Sequence, residues 1–208
     1  MAERKIKPVS DNYDKCNTYR KNMGRYKLAI KHKFYFEAMM ICYSVMEDRL
    51  NSWLYYLGCR KTTSSYKFDC KDCKDKLRPL VEKYMPGQSK NLAITSISGK
   101  RKIVKATLLW AKDGYPGADE DKYYSSVWEV YQTLDVDEVL SCLERCEEWC
   151  SYRNEIVHAL MNKNIDSLNS ELEKRADEGM SIARCFDDYA KCVKTGNVIR
   201  KSISLKSL

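Results

Sequence analysis

The amino-acid sequence predicts an all-α protein, a single domain over residues 1–208 built as a bundle of about four to six helices. Apolar residues recur at intervals of three and four over long stretches, which is the pattern of amphipathic helices. Only eight Gly and four Pro occur in 208 residues, and no linker rich in either divides the chain. No segment shows the alternation typical of a strand between hairpin signals. Long amphipathic helices bury their apolar stripes against one another, so a bundle follows.

The first half of the chain carries one clear apolar stripe with a candidate extension upstream. The extension, with Gly24 as a candidate break, comprises Tyr19, Met23, Tyr26 and Ile30. The stripe itself comprises Phe36, Met39, Tyr43, Met46, Leu50, Trp53 and Leu57. It ends at Gly58, a residue suited to the left-handed position that follows a helix.

The middle of the chain is less regular, and it predicts three short helices. One is expected over Lys71–Met85, kinked or restarted at Pro79, and another over Lys100–Lys112. A third is expected over Asp119–Leu134, after the turn formed by residues 114–117.

Two further long helices are expected in the second half. One begins at Asp135, because Asp135 and Glu138 have the spacing of a capping box. Its stripe comprises Val139, Leu143, Cys146, Cys150, Arg153, Val157 and Leu160. The last helix begins near Asp166 and ends before Gly196. Residues 1–12 and 196–208 lack a sustained stripe, and we expect them to be mobile.

Composition restricts the class of protein. An apolar fraction of 44% and a charged fraction of 32% exclude a disordered chain. No uncharged run exceeds nine residues, whereas a spanning helix needs about 20. The charged start of the chain lacks the apolar core of a signal peptide, so we expect a cytoplasmic protein without membrane contact and with its ten Cys reduced. The net charge of +8 favours polyanionic partners.

One short segment, Arg153–His158, carries a pattern with chemical meaning. Arg153 falls where the helix stripe elsewhere places Val, Leu and Cys, and an unpaired guanidinium is costly to bury. Asn154 and His158 are four residues apart and share a helix face, with Arg153 about 100° away, so the three side chains are expected to converge. Arg binds phosphate oxygens with a planar fork, and His transfers protons near neutral pH.

The same residues also have a structural interpretation, in which His158 hydrogen-bonds a neighbour and Arg153 pairs with an acid. Chance weighs against it, since the chain has only two His. An Arg-Asn pair at this spacing before either of them arises at random well under about one time in a hundred. We therefore treat Arg153, Asn154 and His158 as candidate catalytic residues.

The pattern Arg-Asn-x-x-x-His, late in a long helix of an all-helical chain, resembles the HEPN superfamily (higher eukaryotes and prokaryotes nucleotide-binding). The likeness extends by helix pattern from Phe34 to Val193, and only Arg153–His158 is specific. It implies a HEPN-like bundle and a homodimer whose two motifs share one cleft. Arg153 and His158 would be the catalytic pair and Asn154 an orienting residue, with Glu47 and Asp48 as supporting acids behind them.

The resemblance also implies a reaction. HEPN ribonucleases cleave RNA without metal or other cofactor: the ribose 2′-OH attacks the adjacent phosphate, leaving a 2′,3′-cyclic phosphate and a 5′-OH. Family members act as toxins or in antiviral defence, some with an antitoxin or within a larger defence complex. Toxins paired with a nucleotidyltransferase often carry Tyr two residues after the His, and Leu160 stands there in this chain. An alternative is a non-catalytic HEPN module that binds RNA or nucleotide, or that dimerises.

Two other groups of residues suggest binding. Lys100, Arg101, Lys102 and Lys105 form the densest basic cluster, which is either an RNA-backbone contact or a solvated helix start. The second group would supply three of the four ligands of a structural zinc site and comprises Cys59, Cys70 and Cys73; the alternative is that they are ordinary thiols. If they bind zinc, the whole protein has a third candidate function, that of a zinc-dependent structural adaptor. A further set, expected to pack helices closely, is Cys142, Cys146 and Cys150.

Overall fold

The computed structural model describes residues 12–62, 68–87, 92, 94–159 and 169–203, and these form helices without a strand. The helices are α1 (Asn12–Lys31), α2 (Tyr35–Tyr56), α3 (Lys71–Tyr84), α4 (Ile97–Lys112), α5 (Lys122–Tyr131), α6 (Val136–Ala159), α7 (Asn169–Lys194) and α8 (Val198–Lys201). A single 3-10 turn, Thr195–Asn197, joins α7 to α8. The predicted all-α class is confirmed. The described residues hold more helices than the predicted four to six.

Helix α2 forms the centre of the bundle, because it packs against α1, α4 and most extensively α7. Its predicted stripe supplies the core, with Met39, Met46, Leu50 and Trp53 completely buried. The indole of Trp53 donates a hydrogen bond to the Tyr131 hydroxyl at 2.9 Å, so a polar atom in the core is paired.

Helix α6 lies along α7 and α4. The Trp149 indole donates to the Arg175 carbonyl of α7 at 2.7 Å. Gly179 allows the two helices to approach, since a Cβ built there would lie 2.7 Å from the Trp149 ring. None of the helices in the described residues is long and apolar enough to cross a membrane.

The predicted helix boundaries are confirmed where a local signal specified them. Gly58 follows α2 with φ of 83°, and the Glu138 backbone N–H donates to the Asp135 carboxylate at 3.0 Å at the start of α6. The candidate break at Gly24 does not occur: α1 continues through it, because one glycine costs a helix only about 1 kcal/mol. Residues 32–34 interrupt the stripe instead and separate α1 from α2. Helix α3 likewise runs from Lys71 to Tyr84 with Pro79 inside it.

The expectation of a mobile segment from residue 196 is wrong for residues 196–203. Ile199 and Ile203 are buried, and the Arg200 guanidinium donates to the backbone carbonyls of Tyr55, Arg60 and Lys61. Residues 199–203 therefore pack against the end of α2 and the residues that follow it. Residues 1–11 and 204–208 lie outside the described residues.

Candidate functional site

The Arg153–His158 segment forms the last two turns of α6. Ile156 is buried and anchors these turns to the core, while Asn154 and His158 are exposed. Leu160, the position that the resemblance to HEPN toxins compares with a Tyr, lies outside the described residues. Asn154 and His158 therefore lie accessible near the end of the helix.

The guanidinium of Arg153 lies on an aromatic ring rather than on an acid. Its Cζ atom is 4.0 Å from the centroid of the Tyr43 ring of α2, a geometry that attracts a cation to the ring face. Its Nε atom is buried and has no hydrogen-bond partner in the described part of the chain, where no carboxylate lies within ion-pair distance either. Among the described residues, the positive charge is held in place by Tyr43 without an acidic partner.

Tyr43 responds to the charges around it. Burial raises the pKa of its phenol most, the nearby Glu47 carboxylate adds to the rise, and the Arg153 guanidinium opposes it. The phenol therefore stays neutral at physiological pH and presents the ring face on which Arg153 lies. The sequence placed Tyr43 only in the apolar stripe of α2. Nothing in the sequence around Tyr43 indicates its contact with Arg153, because that contact depends on how two helices far apart in the sequence pack together.

Arg153 and His158 do not meet within one chain. Five residues correspond to about 500° of rotation, which leaves the two side chains about 140° apart around α6. Arg153 is half-buried against α2, and His158 is exposed. No hydrogen bond joins them in the described part of the chain. The expected convergence holds for Asn154 and His158, which share a face, and not for Arg153.

Glu47 and Asp48, the predicted supporting acids, both pair with cations of the fold. The Glu47 carboxylate accepts from the Nζ atom of Lys100 at 2.5 Å. Asp48 pairs with Lys15 at 2.9 Å and with the adjacent Arg49. Glu47 still influences the site through Tyr43, whose pKa it raises. Both acids thus connect helices close to the candidate site.

The basic cluster of α4 is largely neutralised by acids. The side chain of Lys100 is completely buried against Glu47. Arg101 is also buried and pairs with Glu147 at 2.7 Å, and Lys105 pairs with Glu144 at 3.2 Å. Lys102 is half-buried. Lys100 and Arg101 fit neither of the two expectations from the sequence, a solvated helix start or an RNA contact. Packing of α4 against α2 and α6 buries both side chains beside carboxylates.

The cysteines fill the interior. Cys142, Cys146 and Cys150 are buried between helices, as expected. The Sγ atoms of Cys59 and Cys73 are 3.5 Å apart, Cys70 is buried near them, and burial raises the pKa of the Cys59 and Cys70 thiols. No group of three or more potential metal ligands occurs among the residues that the structure describes. The predicted zinc alternative gains no support from this geometry.

No protein-family model, characterised protein or solved structure matches the chain. The resemblance to the HEPN superfamily therefore depends on the Arg153–His158 motif and the helix pattern.

Proposed function

We propose that the chain is a metal-independent endoribonuclease that cleaves RNA at a site built around Arg153 and His158 and completed by a second copy of the chain. One observation carries the proposal: the Arg153 guanidinium is positioned by Tyr43 and lacks an acidic partner in the described residues. A positioned cation without a counter-ion is suited to an anionic ligand, and a planar guanidinium matches phosphate geometry. The exposed His158 on the same helix end adds a group that transfers protons.

The chemistry is transesterification within the RNA strand. A base removes the proton from a ribose 2′-OH, and the 2′ oxygen forms a bond to the adjacent phosphorus. The bond between phosphorus and the 5′ oxygen breaks, and an acid protonates that oxygen. His158 serves as the acid or the base, and Arg153 stabilises the negative charge that grows on the non-bridging oxygens. The products are a 2′,3′-cyclic phosphate and a 5′-OH.

The orientation of the two side chains supports a homodimer. Arg153 and His158 of one chain diverge by about 140°, so a single α6 does not present both to one phosphate. A second copy packed against the exposed end of α6 brings a further motif to the same phosphate. Light scattering at micromolar concentration is expected to show a dimer. A stable monomer with full ribonuclease activity would contradict the shared site.

The decisive experiment is RNA cleavage by purified protein in EDTA, with analysis of the new ends. Cyclic phosphate and 5′-OH ends are expected. Arg153→Ala and His158→Ala should each reduce the rate about a hundredfold or more, because each removes a group that acts in the transition state. Glu155→Ala, an exposed residue within the same segment, is the matched control and should retain activity. Dependence on Mg²⁺, or full activity of His158→Ala, would refute the mechanism.

A non-catalytic RNA-binding module is the second candidate. It is favoured by one observation, that no hydrogen bond in the described residues orients the exposed His158, whereas a catalytic imidazole is usually oriented by a second group. RNA binding without cleavage by the dimer would establish this alternative. If cleavage is observed, the family resemblance extends the proposal to a toxin or an antiviral effector, with an antitoxin or a defence complex as partner.

A further inference from the structure

The positive charge of the chain is concentrated on α1 and the turn after it. Seven Lys and Arg residues and a single carboxylate, Asp14, lie between Asn12 and Lys33, in a chain whose net charge is +8. Six of these cations are exposed: Arg20, Lys21, Arg25, Lys27, Lys31 and Lys33. In the described part of the chain none of the six forms an ion pair, in contrast to the paired cations of α4. Helix α1 and the turn after it therefore carry a group of six exposed cations without ion pairs in the described residues.

The exposed cations form two rows along α1. At 100° per residue, Arg20, Lys27 and Lys31 share one edge of the exposed face, and Lys21 and Arg25 share the other. The opposite face packs on the core through the predicted stripe of aromatic and aliphatic residues. At 1.5 Å per residue, the row from Arg20 to Lys31 is about 16 Å long. This is an extended basic surface and not a single anion site.

Two acids of α7 are engaged on the inner side of α1, which faces the bundle. Asp177 accepts a hydrogen bond from the Tyr26 hydroxyl at 3.2 Å, and Asp187 pairs with Arg49 at 2.8 Å and with Lys191 at 2.7 Å. These carboxylates lie at the contact between α1 and the bundle, where Tyr26 is half-buried. They do not neutralise the outer rows.

Aromatic rings stand at both ends of this surface. Tyr13 is 76% exposed near the start of α1, and Phe34 is 58% exposed just after its end. The ring of His32 stacks on Phe34, with centroids 6.0 Å apart and planes 27° apart. Exposed aromatic rings beside a basic track are the combination by which proteins bind single-stranded nucleic acid, because bases stack on the rings while cations contact phosphates.

Two residues on this surface stabilise the fold less than other residue types would at the same positions. Gly24 lies in the middle of an exposed helix face, where a Cβ would meet nothing within 4 Å. Lys33 adopts φ of 60° in the turn after α1, a conformation that favours Gly and costs other residues about 1 kcal/mol. Packing explains neither choice. Backbone hydrogen bonds that end α1 account for the positive φ of Lys33 but not for a lysine there. Both residues suit a ligand, since glycine admits a close backbone approach and Lys33 adds a cation.

We propose that the exposed face of α1 and the His32–Phe34 turn bind the backbone and bases of single-stranded RNA. The choice of RNA rests on the proposed ribonuclease function. An anionic membrane is the less favoured partner, because a helix that lies in a membrane buries a continuous apolar face and the apolar stripe of α1 already packs on the core.

The topology places this surface close to the candidate site. The end of α1 leads directly into α2, and Tyr43, the residue under Arg153, lies two turns into α2. Further back along α6, the sulfur of Cys146 lies 3.9 Å from that of Met46 of α2, so the two helices run antiparallel. The start of α2 and the end of α6 therefore lie at the same end of the bundle. An RNA strand that follows α1 reaches the end of the molecule that carries His158.

The test measures binding separately from cleavage. Fluorescence anisotropy of a labelled 20-nucleotide single-stranded RNA is recorded with full-length protein carrying His158→Ala, over a range of salt concentrations. The test variant adds Lys27→Gln, Lys31→Gln and Lys33→Gln. The matched control adds three equivalent changes at exposed lysines of α7 and α8 without ion pairs in the described residues: Lys174→Gln, Lys194→Gln and Lys201→Gln. Both variants remove the same charge, and circular dichroism checks that both keep their helical content.

The test variant should bind RNA about tenfold or more weakly, and its slope of log K against log salt should fall by about 2, since each contact to a single strand contributes about 0.7. The control should bind as the parent does. Phe34→Ala alone should weaken binding at least about fivefold by loss of base stacking.

Equal binding by the test and control variants would overturn the proposal. So would binding to phosphatidylserine vesicles that the test variant loses while its RNA binding stays unchanged. RNA binding through α1 in a protein that never cleaves RNA would refute the proposed function and leave this inference intact. Normal RNA cleavage by the protein with His158 intact, together with unchanged RNA binding by the test variant, would do the reverse.

Discussion

Replacing Glu47 by Ala removes the carboxylate that meets the ammonium group of Lys100 between α2 and α4. The side chain of Lys100 is completely buried, and that of Glu47 is 28% exposed. Burial lowers the pKa of Lys100, and the hydrogen bond and charge of Glu47 oppose that effect. In the variant the cation keeps its desolvation cost and loses its partner. We therefore expect Glu47→Ala to act on stability.

The expected loss follows from the partial exposure of the pair. Removing one partner of a buried ion pair costs about 3–5 kcal/mol, and the exposure of Glu47 favours the lower end, about 3 kcal/mol. For a chain of this length that corresponds to a drop of about 6–12 °C in Tm. Without Glu47 the pKa of Lys100 falls further below its ordinary value of 10.5. The unfolded state then binds more protons, so the deficit is largest at neutral pH and shrinks as the pH rises towards 10.5.

Urea unfolding followed by circular dichroism measures this loss, with two controls. Glu144→Ala breaks the ion pair with Lys105, which, like Lys100, lies on α4. Glu144 is 61% exposed, so the loss in free energy of unfolding should stay below about 1 kcal/mol. Adding Lys100→Met to Glu47→Ala removes the stranded charge and should restore most of the stability. The reasoning is refuted if Glu47→Ala costs no more than Glu144→Ala, or if its deficit grows with pH.

Three further predictions test other parts of the molecule. Gly179→Ala should lower the free energy of unfolding by about 1–3 kcal/mol in urea titrations, because its Cβ would lie 2.7 Å from the Trp149 ring. Gly24→Ala should raise it by about 0.5–1 kcal/mol in the same assay, because the position is helical and open; a loss there would show an unrecognised contact. Tyr43→Ala should lower kcat for RNA cleavage about tenfold or more by releasing Arg153, and Tyr43→Phe, which keeps the ring face, should retain it. Equal rates for the two Tyr43 variants would remove Tyr43 from any positioning role.

The parts of the fold that the sequence predicts correctly are those set by neighbouring residues. Gly58 ends α2 because the chain there needs a positive φ, and Asp135 starts α6 by accepting a backbone N–H three residues later. Helical periodicity also marks the core face of α2, since Met46 and Trp53 are buried as the stripe predicts.

The parts that the sequence cannot predict depend on residues far apart in the chain. Lys100 looks like a surface cation until α2 places Glu47 against it from 53 positions away. The segment around Ile203 shows no periodicity, yet it fits against the end of α2, where a Cβ on Gly58 would lie 2.8 Å from the Ile203 side chain. At the candidate site, the motif identifies Arg153 from the sequence. The contact of its guanidinium with the Tyr43 ring is apparent only from the packing of α6 near α2.

The central contact between α2 and α7 has a consequence for how the chain folds. Arg49 and Asp187 are 138 positions apart, and their helices form the largest contact of the bundle. During synthesis α2 leaves the ribosome long before α7 has been made, so the apolar face of α2 stays exposed without its main packing partner. Closing so long a loop is slow, and the unfinished chain is exposed to aggregation in the meantime. We expect chaperone dependence to be strongest for nascent chains that end before α7.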